Sequence, residues 1–254
     1  MTPGLLGNLV PFAHSVHSPL SYHGSLLHEE ASVCFSATAN FVGSGVLGTI
    51  GVAILAEVKH RRELLFASMP CLFALHQFTE GIVWLGLDHR LGPAFAHDAG
   101  IVYVVYAQAL LPFLLPLSVY LIEPTRLRRR RMLVFLALGV LLGLYILWGL
   151  IAYPLEVSAQ ARGIVYLNAI TTTTTVAVLY VIATCGALFF SGFSTLVLLG
   201  GVNLAGLLAV MLVRRYEFTS LWCAYAAVVS VIIYFFFRQS RAARPAKYAL
   251  GKAA

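Results

Sequence analysis

Charge is what this chain has least of. Lys, Arg, Asp and Glu make up 11% of its 254 residues, while 60% are apolar and the mean hydropathy is +0.86. Soluble domains carry about 25% charged residues. So little charge, with apolar runs recurring along the chain, excludes a soluble domain and points to an integral membrane protein. Cysteine is scarce too. Cys34, Cys71, Cys185 and Cys223 do not form a disulfide framework. Cys71 and Cys185 lie within apolar runs and read as packing residues, whereas Cys34 and Cys223 fall near one face, where a bridge is open to them. Kinase, nucleotide and phosphate-loop patterns are missing. The net charge of +7 is not a nucleic-acid signal, because the basic residues sit in short loops beside apolar runs.

Seven spans are expected, at Phe35–Glu57, Leu64–Leu87, Ala99–Ile122, Met132–Tyr153, Ile170–Phe190, Ser194–Val213 and Thr219–Phe237. Each is long enough, as a helix, to cross a hydrocarbon core about 30 Å thick. Backbone groups in lipid must bond internally, so these spans are helices. Thirteen of the 17 Lys and Arg residues follow spans one, three and seven, and four fall on the other side. That asymmetry predicts an all-α, polytopic inner-membrane protein with seven transmembrane helices, the N-terminus outside and the C-terminus cytoplasmic. Residues 33–237 form the transmembrane domain. Residues 1–32, with His14, His17, His23 and His28, read as a tail or a mis-assigned start. The basic stretch 238–254 reads as a tail on the anionic cytoplasmic leaflet.

Three segments resemble an uncharacterised family of bacterial membrane proteins: "VCFSATANF" (33–41), "HQFTEGIVWL" (76–85) and "EFTSLWCAYAA" (217–227). Members of that family begin Met-Cys-Phe-Ser-Ala-Thr. They carry Gln-Gln-x-x-Glu-Gly-x-x-Trp in the second span and Ser-x-Trp-Cys at the last. The resemblance implies a fold and no mechanism, and it runs from about Val33 to the end of span seven. Here His76 replaces the family's first glutamine, and Val33 stands where the family starts. A GTG start codon would read as valine inside a longer gene, so residues 1–32 are expected to lie upstream of the native start.

The chemistry concentrates in span two. At 100° per residue, Phe73, His76, Gln77, Glu80 and Trp84 share one helix face about 100° wide. An ionised carboxylate facing lipid costs at least about 2.5 kcal/mol, so that face must turn inward. Tyr103 and Tyr106 on span three, Arg214 at the end of span six and Thr171–Thr175 opening span five lie at one outer level, with Asn203 of span six near mid-membrane. They are expected to close a polar pocket floored by His76 and Asn203, with Glu80 in its wall. Desolvation favours neutral Glu80, while a nearby Arg214 or protonated His76 favours the charged form. The candidate ligand- or proton-binding set is therefore Glu80, His76, Gln77, Trp84, Tyr103, Tyr106, Asn203 and Arg214. "FTSLWC" (218–223) reads as a helix start, and "GVLLG" (139–143) as a close helix contact.

The first functional reading is a protein that binds or translocates a small solute, proton or cation at Glu80. The second is a sensor or accessory subunit with a protein partner docked on the cytoplasmic Arg126–Arg131 loop. An intramembrane enzyme is disfavoured. Zinc hydrolases need several ligands close together, and the spans offer only His76. No catalytic residue, metal site or cofactor is assigned, and the partners expected are the bilayer and a small ligand.

Overall fold

A computed structural model describes residues 36–160, 163–213 and 225–238. α1 (Ala37–Leu55) starts where Ser36 Oγ accepts the Ala39 N–H at 3.3 Å, the usual way to satisfy a first-turn donor. A 3-10 turn at Arg61–Glu63 leads into α2 (Leu64–Ala67) and α3 (Met69–Leu87). The single span expected over Leu64–Leu87 is thus interrupted at Ser68. Pro70 has no N–H to continue the ladder, and Ser68 Oγ donates back to Leu65 O at 2.9 Å. The helix path survives, because the Leu72 N–H still reaches Ser68 O at 3.0 Å. After α3, His89 adopts the left-handed conformation (φ 60°), and the Arg90 and Leu91 N–H groups both donate to Leu85 O. Gly92, at φ 86°, then turns the chain so that Pro93 opens the next helix.

That helix is continuous over 30 residues: α4 (Pro93–Val104), a π-helical segment (Val105–Leu110) and α5 (Leu111–Ile122). It begins six residues before the expected Ala99, since a backbone ladder does not stop where the apolar stretch does. α6 (Arg126–Ala152) likewise absorbs the arginine run, because Arg is a good helix former. Pro112 accounts for the π segment. Leu111 donates its N–H to Tyr106 O, five residues back, and the next donor in that pattern would be Pro112, which has no N–H. Ala107 O takes the Tyr180 hydroxyl at 3.0 Å instead.

A β-hairpin follows α6: β1 (Glu156–Gln160) pairs antiparallel with β2 (Gly163–Leu167), Val157 opposite Tyr166. The all-α expectation missed it. β1 is exposed, whereas Ile164, Val165 and Tyr166 of β2 are buried. Asn168 anchors the hairpin to the bundle. Its Nδ2 donates to the carbonyls of Gly149, Tyr153 and Pro154, and its Oδ1 accepts the Ile170 and Thr171 N–H groups. Span five is therefore shorter than expected: α7 (Thr174–Phe189) is capped by Thr173 Oγ1. α8 (Ser194–Val213) has the expected bounds, and α9 (Tyr225–Arg238) is an apolar helix within the described part of the region where the last span is expected.

The chain is mostly helical. α1, Pro93–Ile122 and α6 are long and apolar enough to cross a membrane. α3 matches α1 in length, but His76, Gln77 and Glu80 keep it out of that group. Small residues set the closest approaches. A Cβ on Gly51 would lie 2.8 Å from the Cys71 backbone nitrogen, and Gly139 and Gly143 of α6 rest on the carbonyls of Pro112 and Ala109. The "GVLLG" segment is therefore the close helix contact expected of it. At the other end of the bundle from the hairpin, buried Glu123 accepts the Gly192 N–H at 2.8 Å and the Thr125 N–H at 3.3 Å. Arg128 Nη1 donates to Ser191 O at 2.7 Å. Together these bonds tie the α7–α8 turn to the α5–α6 turn.

Candidate functional site

α3 is enclosed by α1 on one side and α4 on the other, with β2 above its C-terminal end. This enclosure buries the polar face: Glu80 is 1% exposed, His76 6% and Trp84 8%, while Leu75 on the opposite face is 61% exposed. Four residues separate His76 from Glu80, and four more separate Glu80 from Trp84, so the three lie one above another.

His76 is held in an aromatic column. Its ring stacks on Tyr103 at 3.9 Å and lies 4.9 Å from Tyr106, and Tyr103 in turn stacks on Tyr166 at 4.6 Å. One imidazole nitrogen, Nε2, lies 3.3 Å from Tyr103 O. Tyr103 and Tyr106 therefore join His76 as expected. Tyr166 comes from the hairpin and was not foreseen. Its signal was available in "GIVYL", an apolar β-branched run opened by glycine.

Gln77 faces α1, where its Nε2 donates to Asn40 Oδ1, and Asn40 Nδ2 donates to Ser36 O. Two polar atoms flanking Glu80 on its own face have no hydrogen-bond partner among the described residues: Gln77 Oε1, an acceptor, and Trp84 Nε1, a donor. Each such atom costs about 1–3 kcal/mol when left unmet. Val83, Trp84, Tyr103, Val104, Leu155, Ile164 and Tyr166 form an apolar cluster around this end of the face.

Asn203 is seated elsewhere. Its Nδ2 donates to Cys185 Sγ at 3.2 Å, in a group with Leu207 and Tyr225. A small cavity of about 20 Å³, room for one water, lies between Asn203 and Phe73, one turn below His76. The structure thus divides the expected pocket into an α3–α4–hairpin group and an α7–α8–α9 group. Arg214, Arg215, Trp222, Cys223, Cys34, the tails and the "FTSLWC" helix start lie outside the described residues. Of the threonine run, Thr171 is buried, Thr172 Oγ1 donates to Asn168 O and Thr173 caps α7. No three His, Cys, Asp or Glu side chains come together as a metal site among the described residues.

No functionally curated protein and no solved structure matches the chain. A family model does, over residues 33–248, beginning at the Val33 from which the resemblance ran. The chain belongs to that family, which is a family of unknown function (DUF6629).

Proposed function

We propose that this is a seven-helix, multi-pass inner-membrane protein, N-terminus outside and C-terminus cytoplasmic, that binds or translocates a proton, cation or small polar solute at Glu80. The observation that carries the reading is a pair of polar atoms without a hydrogen-bond partner among the described residues, Gln77 Oε1 and Trp84 Nε1, one before and one after, along α3, a carboxyl that is 1% exposed. A face built only for packing leaves no donor and acceptor unmet. Gln77 and Trp84 lie about 10 Å apart along the helix with Glu80 between them, so waters, an ion or a polar solute along that face would meet them. The segregation of Lys and Arg supports the orientation.

The aromatic column limits what fits. Rings 3.9 and 4.6 Å apart leave no room for a solute between them. A proton needs no opening, whereas a cation or anything larger requires Tyr166 and the hairpin to move. Native mass spectrometry in mild detergent, wild type beside Glu80→Gln, tests the reading. A species bound to wild type and lost in the variant supports it. No species in either, with the variant merely less stable, makes Glu80 a packing residue.

A partner-subunit reading draws on the α6 arginines. Arg128 and Arg129 are engaged within the chain, Arg129 over the Tyr120 ring, while Arg126, Arg130 and Arg131 stay exposed. Pull-down of the intact protein with and without these three arginines tests it.

A further inference from the structure

The described surface carries a sizeable groove away from Glu80. It lies between α1 and α9, measures about 220 Å³ and is lined by Thr49, Ile50, Ala53, Val231 and Tyr234. A 150 Å³ apolar cavity already takes benzene, so about 220 Å³ takes a stretch of hydrocarbon chain. Both lining hydroxyls are already engaged. Thr49 Oγ1 donates to Gly45 O at 2.8 Å, and Tyr234 Oη accepts from Arg238 Nη1 at 3.0 Å. The groove therefore presents apolar surface to its occupant, not a polar solute site.

Its mouth is cationic. Arg238 lies one helical turn beyond Tyr234, with its guanidinium 5.7 Å from that ring. The neighbouring Phe236 and Phe237 pack on Phe66, at 5.7 and 6.2 Å, just past the turn that carries Arg61 and Arg62. Lys59, Arg61, Arg62 and Arg238 are all exposed at this end of the groove. The Tyr234 hydroxyl accepts from Arg238 and still has its own proton to donate. Arg238 has further N–H donors in a fork that matches a phosphate.

We propose that the α1–α9 groove holds an acyl chain of one anionic phospholipid whose phosphate is bound by Arg238 and Tyr234. An apolar slot ending in a guanidinium–phenol pair fits that amphiphile. A second copy of this chain would have to bring an acidic group to the same mouth, and the described residues near the groove supply none beyond Glu57 and Glu63, on the same loop as the cations. The site is independent of Glu80.

The test places the full chain in nanodiscs of equal phosphatidylglycerol and phosphatidylcholine with matched acyl chains, then counts lipids retained in native mass spectrometry. Wild type is expected to keep one phosphatidylglycerol in preference to phosphatidylcholine by about fivefold or more, the effect of one basic residue at an anionic headgroup. Ala53→Trp fills the groove and abolishes the retained lipid. Arg238→Gln brings the two lipids to parity, and Arg238→Lys keeps the preference. If Ala53→Trp does not fold, as judged by circular dichroism, Val231→Trp fills the same slot. A retained lipid unchanged by both fillers, no preference in wild type, or a dimer whose interface shields the groove each overturns the proposal.

Discussion

Adding a single methyl at Gly139 or at Gly45 should change stability in opposite directions. Gly139 of α6 rests on the carbonyl of Pro112, and Gly143 on that of Ala109. A Cβ at either point meets backbone oxygen, which cannot swing away as a flexible side chain would. Overpacking of this kind costs about 1–3 kcal/mol. Gly45 of α1 has nothing within 4 Å of its Cβ position, so alanine there gains up to about 1 kcal/mol of helix preference and meets no obstacle. At roughly 2–4 °C per kcal/mol, Gly139→Ala should lower the unfolding midpoint by about 2–12 °C, while Gly45→Ala leaves it unchanged or slightly raised. Thermal unfolding in one detergent, followed by circular dichroism, reads both. Equal midpoints for the two variants would refute the seating of α6 on the π segment.

Three further perturbations test other contacts. Tyr180→Phe strips the donor from Ala107 O and should cost about 1–3 kcal/mol in the same unfolding assay, since the buried carbonyl is left unmet. Asn168→Ala removes five hydrogen bonds between α6, β2 and the α7 entrance, so limited proteolysis should cut near the hairpin several times faster than in wild type. Tyr166→Ala removes the outer ring of the column, so a hydrophobic carbodiimide should label Glu80 several-fold faster. Glu80→Gln is the unlabelled control, and an unchanged rate would mean that the hairpin does not guard the carboxyl.

Much of this architecture was legible because it rests on local rules. The period of 3.6 put His76, Glu80 and Trp84 on one face, and that face is buried while Leu75 is exposed. Ser194–Val213 kept both its bounds. Other helix ends moved where propensity outran hydropathy, as at Arg126 and Pro93. The rest depends on long-range partners. Nothing near Asn203 in sequence announces Cys185, 18 residues away, and nothing near Glu123 announces the Gly192 N–H, 69 residues on. The hairpin falls between two expected spans, and its ten strand residues offer a weak local signal: Val157, Ile164 and Val165 are the β-branched residues, with Gly163 opening β2. Its omission mattered most for the site, since that left Tyr166 out of the column.

The π segment connects the scaffold to the site. In an unbroken α-helix, residues 103 to 112 of the third span would present their faces at a constant 100° per residue. Pro112 cannot donate, so the ladder shifts to a five-residue step, and every residue beyond the segment is rotated relative to those before it. The rotation lets one helix serve two neighbours within three turns. Tyr103 and Tyr106 face His76 on α3, while Ala109 and Pro112 offer their carbonyls to the glycines of α6. Tyr180 of α7 fixes the register by taking the carbonyl that the shift releases. The rings beside His76 are therefore positioned by a proline more than one turn away.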